Sequence, residues 1–170
     1  AGAAGMMCAA EAGQRGRRVL IIDHAEKLAE KIRISGGGRC NFTNLEVGIA
    51  NYLSRNPQFC RSALSRFTPA HFIERVNRHG IRWHEREHGQ LFCDDSAQDI
   101  IDMLRTGCDH GQVSWAMPCT LETIGAGTEP GARFLLDTSH GRFSCESLVV
   151  ATGGLSIPKI GASPLGYKIA

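Results

Sequence analysis

The run Val19–Ile22, with Asp23 directly after it, constrains the fold of this chain more than any other stretch. Four consecutive apolar residues, mostly β-branched, are typical of a short parallel strand that is buried on both faces. Residues 3–13 before the run are rich in alanine and methionine and end in Gly13, which predicts a helix that stops there. A helix followed by a buried strand is the second half of a βαβ unit, so we predict an α/β fold.

Two glycines at the start of the predicted helix fit a dinucleotide-binding turn. Gly2 and Gly5 have the spacing of the second and third glycines of G-x-G-x-x-G, where a pyrophosphate approaches the N-terminus of the helix. Asp23 follows about 20 residues later, where an acidic side chain accepts hydrogen bonds from a ribose hydroxyl. The first glycine and the preceding strand of this motif are absent, so we expect the chain to be part of a longer protein. The alternative is a glycine-rich turn that opens an ordinary helix.

Three consecutive glycines, Gly36, Gly37 and Gly38, form a second glycine-rich feature. Without a Cβ, each can adopt positive φ and let the backbone lie against a ligand, and the amides of such a turn can converge on an anion. Polar side chains flank the glycines, at Ser35, Arg39, Asn41, Thr43 and Asn44. This combination suits a large polar cofactor with phosphates better than a bare surface turn. A flexible loop is the alternative. We interpret Cys40 as a small pocket-lining residue, because no second cysteine nearby in sequence supports disulfide exchange.

The middle of the chain is predicted to be mainly helical, and its last third to be strands. Helices are expected over 50–67, from Thr68 to Gly80 and from Ser96 to Gly111, with a hairpin of 81–83 and 90–92 between the last two. Strands are predicted at Val113–Met117, Leu121–Ile124, Phe134–Thr138, Arg142–Cys145 and Leu148–Ala151. The final strand runs into Thr152, Gly153 and Gly154, where backbone can approach a cofactor at the carboxyl edge of a sheet. A plain strand-ending turn is the alternative there.

Charge and composition argue against several classes of protein. Nineteen basic and seventeen acidic side chains give a net charge of +2, which we interpret as an excess that no segment concentrates, so we predict no nucleic-acid partner. A small-molecule substrate is expected instead. The longest apolar runs are far shorter than the ~20 residues of a membrane span, so no membrane partner is predicted. Seven scattered cysteines without a Cys-x-x-Cys pair argue against a disulfide framework or a structural zinc site. They predict a reducing, cytoplasmic location.

One further motif, His84-Glu85-x-x-His88, matches the metalloprotease pattern H-E-x-x-H. Zinc binding by this pattern requires both histidines on one face of a helix. Here Gly80 and Gly89 bracket a short segment in which apolar residues alternate, and on a strand the two histidines would lie ~13 Å apart. We therefore predict a solvated hairpin and no metal, and keep a zinc hydrolase as a remote alternative.

The string Arg33–Asn44 (R-I-S-G-G-G-R-C-N-F-T-N), with Ala151–Gly161 and the pair Gly166-Tyr167, resembles the BaiN-like, or aminoacetone-oxidase-type, family of FAD-dependent oxidoreductases. The resemblance covers the whole chain. It implies a glutathione-reductase-like (Rossmann-type) FAD-binding domain with a β-meander, truncated at both ends. Residues 1–170 would be part of that domain, without its first strand, its inserted domain and its C-terminal part.

The resemblance also implies which residues contact FAD. They are Gly2, Ala3, Ala4, Gly5, Asp23, His24, Ser35, Gly36, Gly37, Gly38, Arg39, Cys40, Asn41, Thr43, Asn44, Leu121, Ala151, Thr152, Gly153 and Gly154. The implied function is hydride transfer from NAD(P)H through the flavin to an organic acceptor or to oxygen, with no catalytic acid or base named. The alternative is an NAD(P)-binding dehydrogenase or sensor without flavin, which would not need the glycine loop. By itself, the chain of 170 residues is expected to bind FAD weakly or not at all.

Overall fold

A computed structural model describes residues 1–156 and 162–169. The chain divides into two compact units: residues 1–31 with 104–170 form the first, and residues 32–103 the second. Among the described residues, no helix is both long enough and apolar enough to cross a bilayer.

The first unit is built on a parallel pair of strands next to a helix. Its elements are α1 (Ala3–Gln14), β1 (Leu20–Ile22), β5 (Ser114–Ala116), β6 (Leu121–Ala126), β7 (Phe134–Thr138), β8 (Gly141–Cys145) and α6 (Leu165–Ile169). Strand β1 pairs in parallel with β5, with Leu20 opposite Ser114 and Ile22 opposite Ala116. Helix α1 contacts β1 and buries Met6, Ala9 and Ala10. The predicted order of helix and parallel strand is confirmed.

Glycines allow α1 to lie very close to the end of α5 (Ala97–His110) and the turn that follows it. A Cβ on Gly13 would lie 2.3 Å from the carbonyl oxygen of Gly111, and one on Gly107 would lie 3.3 Å from the Cβ of Ala10. The Cys108 thiol donates a hydrogen bond of 3.3 Å to the Met6 carbonyl. Backbone packs directly on backbone here, so a larger residue at Gly13 cannot be accommodated without a shift.

The last third of the chain forms the predicted β-meander. Strands β6, β7 and β8 pair antiparallel in that order. The Asp137 carboxylate in β7 accepts hydrogen bonds from Arg142 Nε at 2.6 Å and Thr123 Oγ1 at 2.9 Å, which join all three strands. Leu136 provides the buried apolar contact of the meander.

The predicted strand Leu148–Ala151 is wrong for the described residues, which leave this segment without regular structure. Val149 and Val150 are 62% and 45% exposed. A strand needs a neighbour to satisfy its backbone groups, and in the described part of the chain β1 and β5 form a pair without a third strand. Residues 157–161 of the string Ala151–Gly161 lie outside the described residues.

The second unit contains a three-stranded antiparallel sheet of order β2-β4-β3. Its elements are α2 (Glu30–Ile34), which begins at the end of the first unit, β2 (Asn41–Asn44), α3 (Arg61–Arg66), α4 (Pro69–Arg78), β3 (Trp83–Glu85), β4 (Gln90–Cys93) and the start of α5. The predicted hairpin is confirmed, with Trp83 opposite Cys93. Strand β2, expected to be part of a loop, pairs with β4. Its Phe42 ring packs 6.0 Å from Phe72 and 6.4 Å from Trp83.

The predicted helix over 50–67 is mostly wrong, whereas the two helices after it are confirmed. Residues 50–59 are all exposed, and the helical structure there is limited to a 3₁₀ turn at Ile49–Asn51 and to α3. Pro57 cannot donate a backbone hydrogen bond and blocks a continuous helix. Helix α4 begins after Thr68, whose side chain accepts a hydrogen bond from the His71 N–H as predicted for an N-cap.

Candidate cofactor-binding site

The N-terminus of α1 has the open backbone that a phosphate group requires. The first hydrogen bond of the helix runs from the Met6 N–H to the Gly2 carbonyl at 2.9 Å, so the amides of Ala3, Ala4 and Gly5 precede the helical pattern. No side chain caps this end. A Cβ on Gly2 would meet nothing within 4 Å. Exposed amides and the positive end of a helix of 12 residues together suit an anion.

Asp23 follows β1 and is partly buried. Its side chain accepts hydrogen bonds from the Ala1 backbone nitrogen and from the Ala25 N–H, the latter at 2.9 Å. Partial burial raises the pKa of the Asp23 carboxyl, and the hydrogen bond from Ala25 lowers it. The His24 Nδ1 lies 3.5 Å from the same carboxylate. A half-buried carboxylate at the end of a strand is a suitable acceptor for ribose hydroxyls.

The segment Ala151–Gly154 lies beside α1 in the same unit. The Ala151 Cβ is 3.7 Å from the position that a Cβ on Gly5 would take, so the third glycine of the motif allows this approach. Lys31 Nζ donates hydrogen bonds to the Gly154 carbonyl at 2.7 Å and to Ser156 Oγ at 3.1 Å. Lys31 was not predicted from the sequence, because its partners are more than 120 residues away. Leu121 begins β6 opposite Thr138, and its contact with a cofactor stays a prediction.

The three consecutive glycines of the second unit have two separate roles. Gly36, Gly37 and Gly38 all adopt positive φ, at 58°, 66° and 86°. A Cβ on Gly36 would lie 2.6 Å from Cε1 of Phe92, so this glycine is required by packing. Cβ atoms on Gly37 and Gly38 would meet nothing within 4 Å. The turn is closed by the Cys40 N–H, which donates to the Ser35 carbonyl at 2.9 Å, so the open backbone is fixed in place.

The polar side chains after the glycines differ in their hydrogen bonds within the chain and in their exposure. Asn44 Nδ2 donates to the His88 carbonyl at 2.6 Å, and its Oδ1 accepts from the Glu46 N–H at 2.8 Å. Asn44 thus braces the turn beside β2. Arg39 and Asn41 are exposed, and Thr43 is half-buried. Contacts of these residues with a cofactor stay predictions.

Cys40 is a buried thiol in an unusual backbone conformation. It is 5% exposed and has φ of 51°. Burial raises its pKa to about 11, and burial, together with Cys40, raises the pKa of Cys93 on β4 to about 12. Both thiols are therefore protonated at neutral pH. This agrees with Cys40 as a wall of a pocket and argues against a nucleophile.

We expect Cys40 and Cys93 to resist alkylation at pH 7.5, whereas the exposed Cys8 reacts readily. The raised pKa values also predict that stability falls as the pH rises from about 9 toward 11, because thiols ionise first in the unfolded chain. Timed iodoacetamide labelling followed by peptide mass spectrometry measures the alkylation rates, and urea unfolding at pH values from 8 to 11 measures the stability. Labelling of Cys40 as fast as Cys8 in the folded protein would contradict it.

The structure does not form the arrangement that a zinc metalloprotease needs. His84 lies in β3, whereas His88 lies in a 3₁₀ turn with φ of 60°. The His84 Nδ1 is 2.7 Å from Asp94 Oδ1, and its Nε2 accepts a hydrogen bond from Arg86 Nε at 3.2 Å. Both ring nitrogens are thus engaged. In the described ranges, no three His, Cys, Asp or Glu side chains cluster closely enough to hold a metal ion.

Comparison with known families decides the class of this fold. The model of the HI0933-like protein Rossmann domain matches residues 1–170. This chain belongs to the HI0933-like Rossmann family. The family lies within the FAD-dependent oxidoreductase superfamily, which confirms the predicted Rossmann-type α/β class. The finer assignment to the BaiN-like family is not confirmed.

Among curated proteins, this HI0933-like chain is similar to two ribosomal RNA dihydrouridine synthases and to a bile acid reductase. It is 58% identical over 170 residues to the ribosomal RNA dihydrouridine synthase of Escherichia coli, and 46% identical over 171 residues to that of Haemophilus influenzae. These alignments cover 100% of this chain and 42% and 43% of the relatives. It is 24% identical over 172 residues to the 3-dehydro-bile acid delta(4,6)-reductase of Clostridium scindens, covering 99% of this chain and 41% of that protein.

A solved structure supports the same fold. The glycine oxidase of Geobacillus kaustophilus superposes with a TM-score of 0.54 at 16% identity, over 93% of this chain and 55% of that one. At this identity, the likeness concerns the fold alone. The HI0933-like chain spans about two fifths of the length of the curated relatives it matches.

Proposed function

We propose that this chain is the FAD-binding part of a flavoenzyme that reduces a uracil base of ribosomal RNA to dihydrouracil, with NAD(P)H as electron donor. The observation that carries the proposal is the 58% identity, along the whole chain, to a ribosomal RNA dihydrouridine synthase. That similarity outweighs the predicted absence of a nucleic-acid partner, because the prediction rests only on the average charge of the chain.

The names of the relatives share one type of reaction. Formation of dihydrouridine adds two hydrogens to a carbon–carbon double bond conjugated to a carbonyl, and a delta(4,6)-reductase of a 3-dehydro-bile acid is named for double bonds in the same relation to a carbonyl. The more distant relative therefore supports the reaction class, and the two more similar relatives support the substrate. The plain dehydrogenase without flavin is disfavoured by membership of the FAD-dependent superfamily.

The residues of the first unit fit the phosphate and ribose parts of FAD. The free amides of Ala3, Ala4 and Gly5 would bind the pyrophosphate, since Gly2 leaves the approach open. The Asp23 carboxylate, at the end of β1, would accept hydrogen bonds from the ribose hydroxyls. Lys31 would hold the backbone of Gly153 and Gly154 in position through its hydrogen bond to Gly154.

The second unit has an open backbone segment of its own. The backbone at Gly37 and Gly38 is open and fixed by the Ser35–Cys40 hydrogen bond, so it suits close contact with a large planar ligand. When bound, FAD supplies hydride transfer between the nicotinamide donor and the base. Cys40, with its raised pKa, contributes a neutral wall that excludes water.

The test uses the full-length protein that contains this chain. We expect it to purify with bound flavin, to lose flavin absorbance on anaerobic addition of NADPH or NADH, and to convert uridine in ribosomal RNA lacking the modification. Mass spectrometry of RNA digests would detect the two added hydrogens. A colourless protein with stoichiometric zinc would refute the flavin assignment. A flavoprotein that oxidises NAD(P)H without altering ribosomal RNA would refute the substrate.

A further inference from the structure

The basic residues of this chain are distributed unevenly. Residues 47–73 contain three arginines, Arg55, Arg61 and Arg66, and no lysine, aspartate or glutamate. Since the whole chain carries +2 and this segment +3, the remainder carries a net −1. The average charge therefore hides a local excess of the kind that neutralises phosphates.

The three arginines are available to a ligand. All three are exposed, and in the described part of the chain none of them forms an ion pair with a carboxylate. Arg61 donates a 3.2 Å hydrogen bond to the Gln58 side chain, which leaves its other guanidinium donors free. Nearby arginines of the same unit differ, since Arg78 pairs with Glu74 at 3.0 Å and Arg82 with Asp95 at 3.0 Å.

Large apolar side chains are exposed in the same segment as these arginines. Leu53 is 95% exposed, Phe59 is 83% exposed and Tyr52 is 47% exposed. These three, with Ser54, Asn56 and Cys60, line a shallow cavity of about 140 Å³. In the described residues, neither Tyr52 nor Phe59 stacks on another ring of this unit, unlike Phe67, which packs 6.4 Å from Phe72. Their faces are thus open to a planar partner.

We propose that the segment 52–66 binds an unpaired stretch of RNA through its exposed side chains. We call these side chains the arginine–aromatic surface: Tyr52, Leu53, Arg55, Phe59, Arg61 and Arg66. Unpaired arginines would contact phosphates, and the exposed rings would stack on bases, which is the combination that single-stranded nucleic acids require. A duplex would leave the rings without partners, because its bases are stacked on one another. The proposal rests on the proposed function for its substrate class and adds the place on this chain where that substrate is held.

A protein is the alternative ligand of this surface, and the absence of acidic residues from the segment 47–73 argues against it. A surface that docks a protein through Leu53 and Phe59 alone would not need a 27-residue segment free of acidic side chains. The exposed polar residues around the rings, Asn51, Asn56 and Gln58, carry amide groups able to hydrogen-bond base edges. Charge complementarity therefore favours the nucleic acid.

The test measures binding of the full-length flavoprotein to a fluorescein-labelled 12-nucleotide RNA of mixed sequence, by anisotropy at several salt concentrations. The triple variant Arg55→Gln, Arg61→Gln, Arg66→Gln should bind roughly 10- to 100-fold more weakly at 0.15 M salt, and its plot of log affinity against log salt should be shallower by about 2. Phe59→Ala should bind roughly 5- to 100-fold more weakly with an unchanged salt slope. The matched control Arg17→Gln, Arg18→Gln, Arg133→Gln removes the same charge from exposed residues of the first unit and should bind normally.

Flavin measurements test the proposed function, and RNA-binding measurements on the same variants test this inference separately. Flavin content and flavin reduction by NAD(P)H should be normal in every variant, because the altered side chains are exposed and outside the cofactor residues. Variants that bind RNA as tightly as wild type, or a control that weakens as much as the triple variant, would overturn the inference even if dihydrouridine is formed. A change in oligomeric state on light scattering with Phe59→Ala, without a change in RNA binding, would instead identify a protein contact and also overturn it.

Discussion

Replacing Gly37 with valine in the full-length protein should abolish flavin retention while leaving the fold intact. Gly37 has φ of 66° and open space where its Cβ would be. The valine methyl groups would occupy that space, from which the proposed cofactor contacts the backbone. The strain of a β-branched residue at positive φ adds roughly 1–2 kcal/mol, which a stable protein tolerates. The flavin-to-protein absorbance ratio after gel filtration measures the effect.

The same substitution at Gly80 is the matched control for this prediction. Gly80 lies in the same unit and has φ of 67°, and a Cβ on it would also meet nothing within 4 Å, but it is not one of the predicted cofactor residues. Gly80→Val should retain flavin and show a similar change in melting temperature. If Gly37→Val retained flavin normally, the three glycines would be only a turn. Equal flavin loss in both variants would point to backbone strain instead.

Replacing Gly13 with alanine should strongly destabilise the first unit. The new Cβ would lie 2.3 Å from the Gly111 carbonyl oxygen, and its neighbours there are backbone atoms that cannot rotate away. Alanine gains about 1 kcal/mol of helix propensity, but forcing two backbone segments apart costs more. We expect a net loss of about 2–4 kcal/mol in the free energy of unfolding, or roughly 5–15 °C in Tm. Thermal and urea unfolding followed by circular dichroism measure it.

Gly125→Ala provides the comparison for Gly13→Ala. Gly125 lies in β6 of the same unit, and a Cβ there would meet nothing within 4 Å. We expect its effect to be within about 0.5 kcal/mol, as for an ordinary surface substitution. Similar stability of the two variants would show that α1 and the Gly111 turn can separate freely.

The sequence predicted correctly those helices and strands whose start and end are marked by residues within the element itself. Helix α4 has its own cap at Thr68, and the strands of the meander are short runs separated by turn residues, so each could be assigned without knowledge of its partners. The helix over 50–67 failed because its apolar residues are unevenly spaced around Pro57. The strand at Leu148–Ala151 failed because apolar, β-branched character reports strand propensity but not whether a neighbour is present to pair with it.

For the candidate site, sequence predicted backbone features better than side-chain roles. The positive φ of Gly36–Gly38 and the open start of α1 follow from glycine itself. The division between Gly36, which makes room for Phe92, and its two neighbours depends on a strand more than 50 positions away and could not be seen in the sequence. Lys31 was missed for the same reason. The local excess of arginine over 47–73 was visible in the sequence, but the net charge of the chain concealed it.

The ten exposed residues 50–59 make this part of the chain accessible to proteases. Trypsin should cut early after Arg55, because that peptide bond lies in a run of ten exposed residues, whereas Arg61 and Arg66 are in α3. If RNA occupies the arginine–aromatic surface, it should protect the bond after Arg55 and leave cleavage outside this surface unchanged. A protease footprint would then report occupancy of this surface without any labelled ligand.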